Sequence, residues 1–65
     1  MNANNLRFVW TGTFRCSMGS YREFKLEFNA PDLDTAQQVI RDFVEGKNGQ
    51  GWQLQSNEIH VTYNQ

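Results

Sequence analysis

The alternation of apolar and polar residues over positions 6–16 limits the fold of this chain more than any other feature of its sequence. Apolar residues stand at every second position from Leu6 to Cys16, and mostly polar residues separate them. Successive side chains of a β-strand point to opposite faces, so this spacing predicts a strand with one buried face. Gly12 interrupts the apolar series and indicates a bulge, a bend or the close approach of another backbone.

A second alternating run follows at positions 21–29, after the turn-like segment Ser17-Met18-Gly19-Ser20. Glycine adopts positive φ readily, and small residues around a glycine between two alternating runs are typical of a hairpin. Pro31 ends the second run because proline has no amide to donate to a strand ladder. The two runs therefore predict an antiparallel hairpin with one buried and one solvated side.

One amphipathic helix is predicted after Pro31. Apolar residues recur at spacings of three and four from Leu33 to Val44, and Asp32 or Asp34 can cap the helix start by accepting hydrogen bonds from first-turn amides. Gly46 is expected to end the helix, and residues 47–51 are expected to form a loop.

The apolar residues of the last segment change parity. Trp52 and Leu54 occupy even positions, whereas the apolar residues from Ile59 onward occupy odd ones. Either a single strand with a bulge near residues 55–57 or two short strands would produce this change. The sequence thus predicts an α+β fold, a small ββαβ domain over residues 6–65 whose antiparallel sheet carries one helix across one face, with residues 1–5 as a disordered tail.

The length and charge of the chain narrow its function class. With 65 residues and a net charge of −1, it holds one small domain and is not a polycation. So small a core is marginal by itself, and a homodimer would cover leftover apolar surface. Cys16 is the only cysteine, which excludes an intramolecular disulfide and favours a reducing compartment. No apolar run approaches the roughly 20 residues of a membrane span, so we expect a cytoplasmic protein with no membrane partner.

No catalytic or metal-binding constellation is evident. Nucleophilic catalysis needs a nucleophile beside an oriented base, and Cys16 and His60 are the only candidates of their types. They could meet only if the first and last strands are neighbours. One cysteine and one histidine are too few for a tetrahedral metal site. The carboxylates near the helix are explained by capping and hydration. We therefore predict no catalytic residues, no metal and no cofactor.

The aromatic residues suggest a protein interface. They make up 14% of the chain, more than one helix can cover. Large amphipathic rings are common anchors of protein interfaces. Trp10, Trp52 and Tyr63 are the candidate interface residues.

A weaker pattern suggests nucleic-acid binding. If the alternating runs are projected on a sheet, Arg7, Arg15, Tyr21 and Lys25 share the solvated face. Cations and an aromatic ring on an open sheet resemble the platforms on which single strands stack.

Four segments of the chain carry a family resemblance: the strand 8–14, Phe28-Asn29-Ala30-Pro31-Asp32, a helix with Ala36 and Ile40 inside, and Ile59-His60-Val61. In these features the chain resembles the archaeal ribosomal protein LX family and its eukaryotic large-subunit relatives. The resemblance implies the same strand, strand, helix, strand order and contact with structured RNA. That family is basic between its helix and its last strand, whereas Lys47 is the only cation of this chain between Gly46 and Tyr63.

The sequence favours a non-enzymatic protein-binding module over a nucleic-acid binder. Small, nearly neutral chains without a catalytic constellation are often bacterial or phage inhibitors or adaptors, and self-association is expected of so small a core. RNA or single-stranded nucleic-acid binding through the solvated face is the alternative. Phosphate contacts weaken steeply with salt, which separates the two hypotheses.

Overall fold

Three antiparallel strands and one helix follow one another in the predicted ββαβ order. The computed structural model describes residues 6–63 and, for Tyr63, the backbone alone. The elements are β1 (Leu6–Cys16), β2 (Tyr21–Ala30), α1 (Leu33–Gly49) and β3 (Trp52–Tyr63). The α+β fold class is confirmed, and the expected tail over residues 1–5 lies outside the described residues.

β1 is the central strand of the sheet. The strand order is β2-β1-β3, with both pairs antiparallel. Phe8 lies opposite Phe28 on one side and opposite Val61 on the other. The side chains of Phe8, Trp10 and Phe14 point towards α1, so we call this side of the sheet the helix face and the other side the open face. β2 and β3 each have one edge unpaired within the described chain.

Aromatic rings fill the core between α1 and the sheet. Phe8, Trp10 and Phe14 are almost completely buried. Phe43 of α1 packs edge-on against Trp10, Phe14 and Phe24, with ring centroids 5.9, 6.3 and 6.0 Å away. Edge-to-face contacts at these distances are favourable beyond the area that they bury. This cluster anchors the C-terminal half of the helix on the sheet.

Gly12 makes room for an indole ring. The side chain of Trp10 lies over Gly12, where a Cβ atom would overlap the six-membered part of that ring. The glycine marks a close approach, but the approaching group is the side chain two residues earlier in the same strand and not another backbone, which was one of the three alternatives expected.

β3 is a single strand with one bulge. Thr13 lies opposite Ser56 and Phe14 lies opposite Leu54, so Gln55 is the extra residue. Such an insertion reverses which side chains face the core. It brings Ile59 and Val61 to the helix face, and it decides between the two alternatives that the sequence left open.

The start of α1 agrees with the prediction, and its end does not. Asp32 is the N-cap, its Oδ1 accepting a hydrogen bond of 2.8 Å from the Thr35 amide, and this bond lowers the pKa of the Asp32 carboxyl. The expected end at Gly46 is wrong, because the helix continues to Gly49. The Lys47 ammonium lies over the Phe24 and Phe43 rings, 4.4 and 5.2 Å from their centroids, which holds the last turn against the sheet.

Gly46→Ala should stabilise the protein. Gly46 lies inside α1 with open space where a Cβ would stand, and alanine loses less backbone entropy in a helix. We expect the free energy of unfolding to rise by roughly 0.5–1 kcal/mol in urea titrations. Gly51→Ala is the control: φ at Gly51 is +93°, so this variant should lose stability. A loss of stability in Gly46→Ala would contradict a helix that continues past this residue.

Candidate functional site

Cys16 and His60 do not form a nucleophile–base pair. β1 and β3 are neighbours, but Cys16 lies opposite Trp52 and His60 lies opposite Val9, at the other end of β1. The two side chains also point to opposite faces of the sheet. Hydrogen bonds from the backbone of Met18 and Ser20 lower the pKa of the Cys16 thiol, which has no histidine beside it. Among residues 6–63, no three side chains of His, Cys, Asp or Glu come together in a way that could hold a metal ion.

The candidate interface residues have three different environments. Trp10 is only 1% exposed, and its Nε1 donates a hydrogen bond of 3.3 Å to Asn57 Oδ1. With so little accessible surface, Trp10 packs in the core of the domain. Trp52 is half-buried against Phe24, with the Arg22 guanidinium 5.7 Å from its ring centroid. The side chain of Tyr63 lies outside the described residues.

The candidate nucleic-acid residues share the open face, as the projected alternation indicated. Arg15 lies opposite Tyr21, Thr11 lies opposite Lys25, and Arg7 is near the other end of β1. Pairing in the ladder therefore places all four side chains on one side of the sheet, spread along most of its length.

Carboxylates neutralise part of this face. Arg7 and Lys25 both form ion pairs with Glu27, at 2.9 and 3.2 Å. Lys25, and after it Arg7, lowers the pKa of the Glu27 carboxyl. Glu23 and Glu58 lie on the same face, beside Thr13 and Thr11 respectively. The open face is thus a mixed-charge surface and not a basic platform.

An apolar groove lies on the helix face between α1 and β3. Its volume is about 410 Å³. We call it the β3 groove. It is lined by Trp10, Ile40, Val44, Ile59 and, at its polar rim, Gln37, Arg41, Glu45 and Asn57. Ile59 remains 40% exposed, and Val61 next to it on the same face remains 49% exposed.

The groove exists because one helix cannot cover three long strands. α1 has 17 residues, or about 25 Å at 1.5 Å per residue, whereas the 12 residues of β3 extend about 40 Å. The part of β3 that follows the bulge therefore keeps apolar side chains that the described chain covers only in part. Ile59 and Val61 were not identified from the sequence as candidate surface residues. The signal for them was the difference in length between the helix and the last strand.

The two sheet edges differ in charge. β2 carries four charged residues, Arg22, Glu23, Lys25 and Glu27, whereas β3 carries one, Glu58, together with His60. Charged residues on an edge strand discourage pairing with other strands. β3 is therefore the less protected edge, and beyond its bulge the stretch 56–61 is regular.

Comparisons with protein-family models, curated proteins and solved structures found no match to this chain. Within the part of the chain that the structure describes, no helix is both long and apolar enough to cross a membrane.

Proposed function

We propose that this chain is a non-enzymatic protein-binding module of the inhibitor or adaptor type, which works in the cytoplasm by covering a surface of another protein. The observation that supports this function most is the β3 groove, an apolar surface beside an unprotected strand edge. Ile59 and Val61 keep close to half of their surface in a chain whose small core would gain from burying them.

The anatomy of the β3 groove fits a protein partner. Apolar side chains form its centre, and charged or amide side chains, among them Arg41 and Glu45, surround it. Protein interfaces have the same arrangement of an apolar core within a polar rim. The edge of β3 adds main-chain donors and acceptors, which bind extended segments by strand addition. The groove and the edge are adjacent, so one partner can use both.

Nucleic-acid binding through the open face is the alternative. Arg15 and Tyr21 lie directly opposite each other at one end of that face, which is a suitable place for a base to stack beside a phosphate. Three carboxylates on the same face, Glu23, Glu27 and Glu58, oppose an anionic ligand, and for this reason the alternative ranks second.

A pull-down with matched variants tests the proposal. The tagged chain is incubated with cell lysate, with and without nuclease, at low and high salt. The groove variant combines Ile59→Thr with Val61→Thr, which removes apolar area but keeps β-branched side chains suited to a strand. The open-face variant combines Arg15→Gln with Lys25→Gln.

We expect the wild type to capture a partner protein in stoichiometric amounts, even after nuclease treatment and at high salt. The groove variant should no longer capture this protein, and the open-face variant should still capture it. Phosphate neutralisation makes nucleic-acid affinity fall steeply with salt. Recovery of nucleic acid that disappears at high salt, and that only the open-face variant loses, would contradict the proposal and favour the alternative.

A further inference from the structure

The outer edge of β3 is long, regular and poor in charge beyond its bulge. Ser56 to Val61 pair residue by residue with β1 on one side, and no strand of the described chain pairs with them on the other. Glu58 and His60 point to the open face, with side chains 77% and 69% exposed, and their Oε1 and Nε2 atoms are 3.7 Å apart. Ile59 and Val61 point to the helix face. This stretch thus offers a continuous row of main-chain groups with a polar side and an apolar side.

We propose that β3 pairs antiparallel with β3 of a second copy of this chain, with Ile59 opposite Ile59 of that copy, so that two three-stranded sheets join into one. The inference rests on the proposed function in that it uses the same β3 groove and edge, and it names one partner of that surface.

Symmetry restricts the register of such a pair. A two-fold dimer makes each contact twice, so that if one residue opposes another, the reverse pair also forms. Directly opposed residues of an antiparallel pair lie on the same face of the sheet. When the two-fold axis is normal to the sheet, both conditions hold only if one residue lies opposite its own copy. The register is therefore defined by naming this central residue.

Charge distinguishes the central residues from one another. A register centred on Glu58 places two carboxylates opposite each other, and one centred on His60 places two imidazoles opposite each other. Two carboxylates opposed in a sheet are destabilising, and two opposed imidazoles have no carboxylate facing them. A register centred on Ile59 places Glu58 opposite His60 of the second copy, and this contact forms twice. Of the three, it alone opposes an acid to a base.

The charged groups around His60 are compatible with this register. His60 lies opposite Val9 of β1, whose neighbours on the open face are Arg7 and Thr11. Beyond Val9, Glu27 of β2 is bound by Arg7 and Lys25. Among residues 6–63, Glu58 on the same strand is therefore the carboxylate nearest to His60, and a second copy would bring another.

The helix face gains apolar contacts in the same register. The two Ile59 side chains would lie directly opposite each other, where cross-strand Cβ atoms are about 4.5–5.5 Å apart. A two-fold axis normal to the sheet keeps both helices on one side, so the two β3 grooves would face each other across the axis. Burial of Ile59 and main-chain pairing would then favour the same arrangement.

Cysteine cross-linking of the purified chain tests both the dimer and its register. In a Cys16→Ser background, single variants Glu58→Cys, Ile59→Cys, His60→Cys and Val61→Cys are oxidised mildly and separated on non-reducing gels. A disulfide needs Cα atoms about 4.4–6.8 Å apart, which an antiparallel pair provides only for residues directly opposite each other. We expect Ile59→Cys to form a covalent dimer much faster than the other three variants.

Light scattering of the wild-type chain gives the second measurement. We expect the mass to rise with concentration from 7.6 kDa to twice that value. Glu58→His and His60→Glu should each weaken the dimer, because each opposes like residues, and the double variant should restore it. Circular dichroism of every variant is the control for retention of the fold.

A wild-type chain that stays monomeric at all concentrations would overturn the inference, as would faster cross-linking of any variant other than Ile59→Cys. Neither result bears on capture of a different protein by the β3 groove. Failure of the dimer and failure of the proposed function are therefore distinguishable, because the first is measured on the purified chain and the second by pull-down.

Discussion

Gly12→Val should leave this chain largely unfolded. A Cβ atom at position 12 would overlap the indole of Trp10, and this ring could move aside only by disturbing its edge-on contacts with Phe14 and Phe43. Overpacking a core costs about 1–3 kcal/mol, and a core of this size rarely supplies more than about 3–5 kcal/mol. The valine methyl groups add further overlap, so Gly12→Val should cost more than Gly12→Ala.

Urea titrations followed by tryptophan fluorescence measure this effect. We expect Gly12→Ala to lower the unfolding midpoint clearly and Gly12→Val to abolish the cooperative transition. Trp10→Phe removes part of the ring that meets the new Cβ, so the change from Gly12 to alanine should cost less in a Trp10→Phe background. A Gly12→Ala variant as stable as the wild type would contradict the packing of the indole over this glycine.

Trp10→Ala should cost about 3–5 kcal/mol, the usual range for truncating a buried aromatic residue, and so remove most of the stability of the domain. The indole is buried, contacts two phenylalanine rings edge-on, and donates a hydrogen bond to Asn57. Trp52→Ala should cost less because Trp52 is half-buried near one end of the sheet.

The same variants separate a core role for Trp10 from an interface role. Thermal unfolding gives the stability of each variant, and the pull-down gives partner capture. Trp10→Phe keeps an aromatic ring in the core, so we expect the folded fraction of this variant to capture the partner as the wild type does. Loss of capture by a well-folded Trp10→Phe variant would contradict the assignment of Trp10 to the core.

Much of the fold was predictable because local physical rules determine it. The alternation predicted the β1–β2 hairpin, and Gly19 in its turn has the positive φ that was expected. Asp32 caps the helix, as one of the two candidates that the sequence offered. The parity change after Leu54 limited β3 to a bulged strand or two short strands. Each of these features depends on residues close together in sequence, and for this reason pattern and propensity were sufficient.

The remaining features depend on contacts between distant elements. Gly46 was expected to end α1, but Lys47 packs on Phe24 and Phe43 and extends the helix by tertiary contact. Trp10 was a candidate interface residue in the sequence because periodicity does not show that its ring lies over Gly12. Strand order cannot be derived from periodicity, so the separation of Cys16 from His60 and the exposure of the β3 edge became evident only in the assembled sheet.

Amide hydrogen exchange by NMR, at low and high protein concentration, tests most directly whether β3 is the surface through which this chain associates. The outward-facing amides of residues 56–61 should exchange quickly in dilute samples and become protected at high concentration, while those of β2 remain unchanged. Protection that develops along β2, or exchange along β3 that is independent of concentration up to the solubility limit, would contradict association through β3.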